Sequence, residues 1–134
     1  MILIGYWSDN TSEWASTRDR LSKYPDPSKL VSEKFWKANY ILKSKVIAHL
    51  TAGIPCNQYR GSSQCRICGC QLGSRERTDG VFIWPDKLDH YVSEHNVILP
   101  DQFLRHIAAI NQWITEPIDE SLWLEFAKEV NTNE

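Results

Sequence analysis

Apolar and polar positions along the chain fall into short extended runs and longer helical stripes. Residues 2–7, Ile-Leu-Ile-Gly-Tyr-Trp, are a short apolar run. They predict a buried strand with Ile2 and Ile4 on one side and Leu3 on the other. From Ser8 to Pro27 no period holds. Trp14 stands in a polar stretch and Tyr24-Pro25-Asp26-Pro27 is a breaker, so this segment reads as loop with at most one helical turn. Ser32 then offers an N-cap with Glu33 in the first turn, where an acid suits the positive end of the helix dipole. Phe35, Trp36, Tyr40, Ile41, Val46, Ile47 and Leu50 recur at helical spacing up to a stop at Gly53, with Pro55 beyond it. Lys34, Lys37, Lys43 and Lys45 line the other face and read as a solvated row.

Residues 54–64 are polar and turn-rich. Leu72 to Arg77 and Val81 to Trp84 flank Thr78-Asp79-Gly80, and Asp-Gly between strand-like runs signals a hairpin because glycine accepts the positive φ of a tight turn. Pro85 suits the first turn of a helix over Asp86 to His95 that buries Leu88, Tyr91 and Val92, with Asn96 as a left-handed stop. Pro100 opens a further helix striped with Phe103, Leu104, Ile107, Ala108, Ile110 and Ile114, and Pro117 ends it. A last helix runs from about Asp119 to Val130, with Leu122, Phe126 and Val130 facing inward. The pattern predicts an α+β fold: a small hairpin sheet packed with about four helices in a single domain, residues 1–134.

Length and composition sharpen this picture. A chain of 134 residues with six Trp, five Tyr and four Phe can bury a core of its own, so a metal would act as a local staple. The net charge of −2 gives no overall pull toward nucleic acid or an anionic membrane. No run of about 18 apolar residues is present, and no membrane span is expected. The apolar start is too short for a signal peptide and lacks a basic leader, which reads as cytoplasmic.

The chemistry concentrates in residues 60–96. Four cysteines (56, 65, 68, 70) crowd into fifteen residues, which in a reducing compartment favours metal over disulfides. Cys65-Arg66-Ile67-Cys68-Gly69 is a Cys-x-x-Cys knuckle, and His90 and His95 follow on one predicted helix. Thiolate sulfur and imidazole nitrogen are donors that Zn²⁺ prefers, and four of them close a tetrahedron. The expected ligands are Cys65, Cys68, His90 and His95 on a structural zinc, with Cys70 in reserve and Cys56 a bystander. Five residues along a helix turn through about 500°, placing the two rings about 140° apart. Both reach one ion only if the helix loosens or ends near His95. Four protein donors argue against the open water position of a catalytic zinc. Glu94 beside His95 gives a spacing one residue too long for the His-x-x-Glu-His protease pattern, so a zinc hydrolase is the third reading. No nucleophile motif, phosphate-cradling loop or dinucleotide fingerprint occurs. His49 and His106 stand alone on predicted helices and read as ordinary packing or surface residues.

Partners follow from charge. The helix start Asp86-Lys87-Leu88-Asp89 is too acidic to favour phosphate contacts, while Arg60, Arg66, Arg75 and Arg77 form a basic cluster diluted by Glu76. From Glu116 onward six acids (116, 119, 120, 125, 129, 134) face Lys128 alone. A protein partner ranks first, with Arg75, Arg77, Glu120 and Trp123 as contact candidates, and nucleic acid second.

Cys65-Arg66-Ile67-Cys68-Gly69, Thr78-Asp79-Gly80, Trp84-Pro85, His90-Tyr91-Val92, His95 and Leu99-Pro100 followed by Phe103 resemble a family of small uncharacterised bacterial proteins. The opening Ile4-Gly5-Tyr6 is also similar. The likeness covers residues 60–105 well and the rest loosely, and Asp86-Lys87 stands where that pattern has Glu-Gly. It implies the same four ligands and a bacterial or phage source, and supplies no activity. Size and charge add the expectation of an immunity protein, antitoxin or inhibitor that masks a toxin or enzyme without turnover.

Overall fold

The hairpin predicted at Thr78-Asp79-Gly80 is the centre of the sheet. In a computed structural model describing residues 1–9, 14–58, 63–114 and 119–132, strand β3 (Arg75–Thr78) pairs antiparallel with β4 (Phe82–Pro85), aligning Arg77 with Trp84 and Thr78 with Ile83. The turn is built by side chains. Asp79 Oδ1 accepts from the backbone N–H of Val81 and Phe82 at 2.9 and 2.7 Å, and Thr78 Oγ1 donates to Phe82 O at 2.7 Å. Gly80 supplies φ +93°, where a side chain would be strained.

Two further strands extend the sheet to the order β1-β4-β3-β2. Strand β1 (Ile2–Leu3) lies parallel to β4 with Ile2 opposite Phe82. It is shorter and more exposed than its apolar sequence implies: Ile4 is buried, but Ile2 and Leu3 sit on an open edge. Strand β2 (Ile54–Gln58) pairs antiparallel with β3 in a stretch that reads as turn. All five of its residues are exposed, so it is held by backbone pairing and carries no apolar alternation to announce it.

Six α-helices are present among the described residues: α1 (Ala15–Leu21), α2 (Glu33–Ala38), α3 (Tyr40–Ala52), α4 (Leu88–His95), α5 (Asp101–Ile114) and α6 (Ser121–Thr132). The α+β class holds, with more helices than the four expected. Helix α1 is longer than the one helical turn that the expected loop allowed, and it buries none of its residues. The single helix expected from Ser32 to Gly53 is broken at Asn39, whose φ of −126° and ψ of 43° leave the helical region. The break rotates the apolar stripe. Trp36, Val46 and Leu50 are buried, whereas Tyr40 and Ile41 fall on the outside. Ser32 caps α2 as expected, its Oγ accepting from the Phe35 N–H at 3.1 Å.

The core lies between the sheet and helices α3, α4 and α5. Trp84 and Phe103 are fully buried with centroids 5.9 Å apart, and Phe82 meets Phe103 edge-on at 4.9 Å. The indole N–H groups of Trp36 and Trp84 donate to Val97 O and Leu50 O, so burying these rings leaves neither polar tip unmet. Arg77 ties three elements together. Its Nε donates to Asp86 Oδ1 at 2.6 Å and its Nη1 to Gly53 O at 2.9 Å. In α5 the expected Phe103, Leu104 and Ile107 are buried while Ala108 is exposed. In α6 the expected inward face is not buried: Leu122 and Phe126 are 84% and 52% exposed. No helix is long and apolar enough to cross a membrane among the described residues.

Gly5 tests the packing of β1 against α4. A Cβ there would lie 2.6 Å from Leu88 Cδ2, at φ +79°. Gly5→Ala should therefore cost about 2–4 kcal/mol, combining left-handed strain with overpacking. Gly80→Ala meets no neighbour within 4 Å and should cost only the strain, about 1–2 kcal/mol. Urea unfolding midpoints compare the two; equal costs would refute the close approach of Leu88 to Gly5.

Candidate metal centre

Local backbone geometry first makes the knuckle. Cys65 N–H donates to Cys70 O at 2.8 Å and Leu72 N–H to Ser63 O at 2.8 Å, closing a miniature hairpin whose arms are residues 63–65 and 70–73. Within it Gly69 N–H donates to Cys65 O, and Gly69 takes φ +77°, which a side chain would resist. The Ile67 N–H points at Cys65 Sγ at 3.4 Å. Backbone donors of this kind stabilise thiolate charge.

Helix α4 brings the imidazoles. Leu88, Tyr91 and Val92 fix its orientation by burial, as their spacing predicts. The helix is also joined directly to the knuckle, because the Arg66 N–H donates to Tyr91 Oη at 3.0 Å. Burial pushes the Tyr91 phenol up to about 12, so it stays neutral and available as this acceptor. Helix α4 ends at His95, and Asn96 adopts the left-handed φ of 53°. The helix ends where Asn96 predicts, and His90 and His95 meet despite their five-residue separation, with ring centroids 5.0 Å apart.

Cys65, Cys68, His90 and His95 each offer one donor atom, and these four atoms all lie within 4.8 Å of one another. The group can hold a metal ion. Cys65 is buried, the two histidines are half-buried and Cys68 is exposed, so the cluster lies at the surface end of the core. Cys70 lies beside it, with Sγ 3.3 Å from His90 Nε2, against 3.4 Å for Cys68 Sγ. Cys56 is exposed on β2.

The two outer sulfurs are unlike each other. The Cys70 backbone N–H, then His95, the Cys70 thiol and His90, hold the Cys68 thiol down at about 5. The Cys68 sulfur beside it pushes Cys70 up to about 11. Near neutral pH Cys68 is therefore the ready thiolate, the form that ligates a metal, and Cys70 keeps its proton.

The other residues singled out in the sequence lie apart from this centre. Arg77 is engaged inside the fold with Asp86 and Gly53, while Arg75 is exposed on β3. Glu120 and Trp123 are exposed at the start of α6, and Arg60 lies outside the described residues. Glu94 is exposed on α4 and is not one of the four donors. The structure also makes a second convergence that sequence alone does not show: His49, Asp79 and His106 bring their donor atoms within 4.8 Å of one another. Their separations of 30 and 27 residues match no ligand spacing, and only the topology joins them.

In the metal-free protein, iodoacetamide at pH 6–7 should alkylate Cys68 ahead of Cys65 and Cys70, with a rate that rises through about pH 5. Peptide mapping by mass spectrometry reads the order, and preferential labelling of Cys70 would overturn this electrostatic picture.

Set beside known proteins, the chain matches no family model, no curated protein sequence and no solved structure, so the resemblance over residues 60–105 rests on its motifs alone.

Proposed function

We propose that the chain is a zinc-stapled protein-binding module that acts by covering a surface of its partner, without turnover. The observation that carries this reading is helix α6. Leu122, Trp123, Leu124 and Phe126 are 84%, 71%, 51% and 52% exposed, and Trp123 stacks on Phe126 with centroids 5.5 Å apart. Isolated exposed apolar residues are ordinary, but Leu122, Trp123 and Phe126 share one face of the helix and form a patch of the kind that docks into another protein. The acids Glu125 and Glu129 share the helix with Lys128, and Asp119 and Glu120 directly precede it. The partner that suits it has an apolar groove rimmed by basic side chains. Exposed Arg75 on β3 offers a second contact of opposite charge. An inhibitor or immunity-type role is one form this masking takes.

Zinc is the proposed ion for Cys65, Cys68, His90 and His95. Two thiolates and two imidazoles match its preferred donors and its four-coordinate geometry. His95 Nε2 is buried without a hydrogen-bond partner among the described residues. An unmet buried polar atom costs about 1–3 kcal/mol, and an ion in this cluster offers that ring a partner. With four protein donors the ion serves stability: it joins the knuckle to α4.

Removing the metal should lower the melting temperature by on the order of 10 °C when the metal was held at about 1,000 times its Kd. Cys65→Ser and Cys68→Ser should each weaken the thiolate-to-metal charge-transfer absorption of the cobalt(II) protein and the double variant should abolish it, while Cys56→Ser leaves it unchanged. A band of full intensity in Cys68→Ser would exclude the ligand set.

Binding is tested on α6. Trp123→Ala with Phe126→Ala should weaken a stoichiometric complex recovered from the native host by about 30-fold or more, leaving the melting temperature and metal content unchanged. Glu120→Lys with Glu125→Lys should slow association. A complex indifferent to all four substitutions, or recovery of nucleic acid alone, would sink this reading.

A further inference from the structure

We propose that His49, Asp79 and His106 form a second metal site, separate from the thiolate cluster, which binds a divalent first-row transition ion and leaves coordination positions open to water. The three residues come from α3, the β3–β4 turn and α5. His49 Nε2 and His106 Nε2 converge on one atom, Asp79 Oδ2, at 2.7 and 2.8 Å. The other oxygen, Oδ1, is held by the Val81 and Phe82 N–H groups, so the carboxylate cannot turn away. That is the outer support a ligating carboxylate needs.

The imidazoles are equally fixed. His49 packs against Trp84 and Phe103 with centroids 5.7 and 5.9 Å apart, and His106 against Phe82 at 5.0 Å. All three aromatic partners are at most 2% exposed, so the donors stand on the rigid core. The three ligand side chains are 18%, 10% and 22% exposed, enough for solvent to reach the cluster. No Lys or Arg is bonded to Asp79 among the described residues. One carboxylate beside two imidazoles, which ligate metals in their neutral form, is a donor set that suits a dication.

Distances decide whether an ion fits. Metal–nitrogen and metal–oxygen bonds of about 2.0–2.1 Å place neighbouring ligands about 2.8–3.4 Å apart, from octahedral to tetrahedral geometry. The two histidine–carboxylate separations, 2.7 and 2.8 Å, lie at the lower edge of this span. On binding, each ring carries its proton on Nδ1 in place of Nε2 and moves outward slightly, so that the ion takes the place of the two contacts to Asp79. Two imidazoles and one carboxylate oxygen leave at least one position unfilled, the arrangement of His₂-carboxylate centres that exchange water. This inference does not rest on the protein-binding reading, and either can fail alone.

The test counts ions. The full chain, freed of metal, is titrated with Zn²⁺ by calorimetry, with anaerobic Fe²⁺ in parallel and Co²⁺ as spectroscopic reporter. The wild type should take two equivalents, and His49→Gln and His106→Gln one each, with circular dichroism confirming that both remain folded. A chain carrying both Cys65→Ser and Cys68→Ser should retain one equivalent whose Co²⁺ absorption lacks thiolate charge transfer, and adding His106→Gln should remove it. Should that double variant not fold, the count in the two histidine variants decides. Saturation of the wild type at one equivalent, or a second equivalent that survives both histidine variants, would overturn the site and leave a hydrogen-bonded His–Asp–His trio in its place.

Discussion

The four-donor cluster rests on one short helix. His90 and His95 both lie in α4, His95 as its last residue, and their ring centroids meet 5.0 Å apart. Asn96 ends the helix, and the rest of the structure holds Asn96 in place. Its backbone N–H still donates to Val92 O, and its carbonyl accepts from the Ser32 N–H at 2.9 Å. Its side-chain oxygen accepts from Lys43 Nζ at 2.7 Å. The next residues continue the tie: Val97 bridges Val31, and the Ile98 N–H donates to Leu30 O. A left-handed asparagine costs little compared with other side-chain-bearing residues, and here the start of α2 and the middle of α3 both fasten it. Residues 30–43, which carry no ligand, thus fix the geometry of the cluster.

The Thr-Asp-Gly hairpin has a comparable reach. Asp79 closes the turn with one carboxylate oxygen and gathers His49 and His106 with the other. Those contacts depress its carboxyl to about 2 although burial opposes ionisation. A turn that only had to reverse the chain would need the first oxygen alone. The second binds α3 and α5 to the sheet at the point where Phe82, Trp84 and Phe103 pack, so the hairpin organises the core and the polar cluster at its rim together.

Sequence patterning revealed those parts of the fold whose signal is local. Cys65-x-x-Cys68, the Asp-Gly turn, the Ser32 cap and the Asn96 stop each depend on a few neighbouring residues, and each is found where it was read. Strand β2 left no trace because an edge strand exposed on both faces needs no apolar period. The break at Asn39 was hidden because Tyr40 and Ile41 continue an apolar stripe that the structure turns outward. His49 and His106 looked solitary because what unites them is Asp79, reached only after α3, α5 and the hairpin have packed together. Donor groups supplied by one knuckle and one helix can be read from spacing; donor groups supplied by three separate elements cannot.

Helix α6 shows a different limit of sequence patterning. An amphipathic stripe states that a face must leave water, and says nothing about which molecule covers it. The inward face assigned to Leu122 and Phe126 followed from assuming that the cover is the chain's own core. That core is complete without them: Trp36, Trp84, Phe103, Leu88 and Ile107 are all buried by other elements. An apolar helix left outside a filled core adds little to its own fold, since Leu122 and Trp123 stay largely exposed and Leu124 and Phe126 are only half covered. The driving force left in those side chains is available for burial against another surface. In the proposed binding role these residues would supply that burial, and the acids beside them would favour a surface of opposite charge.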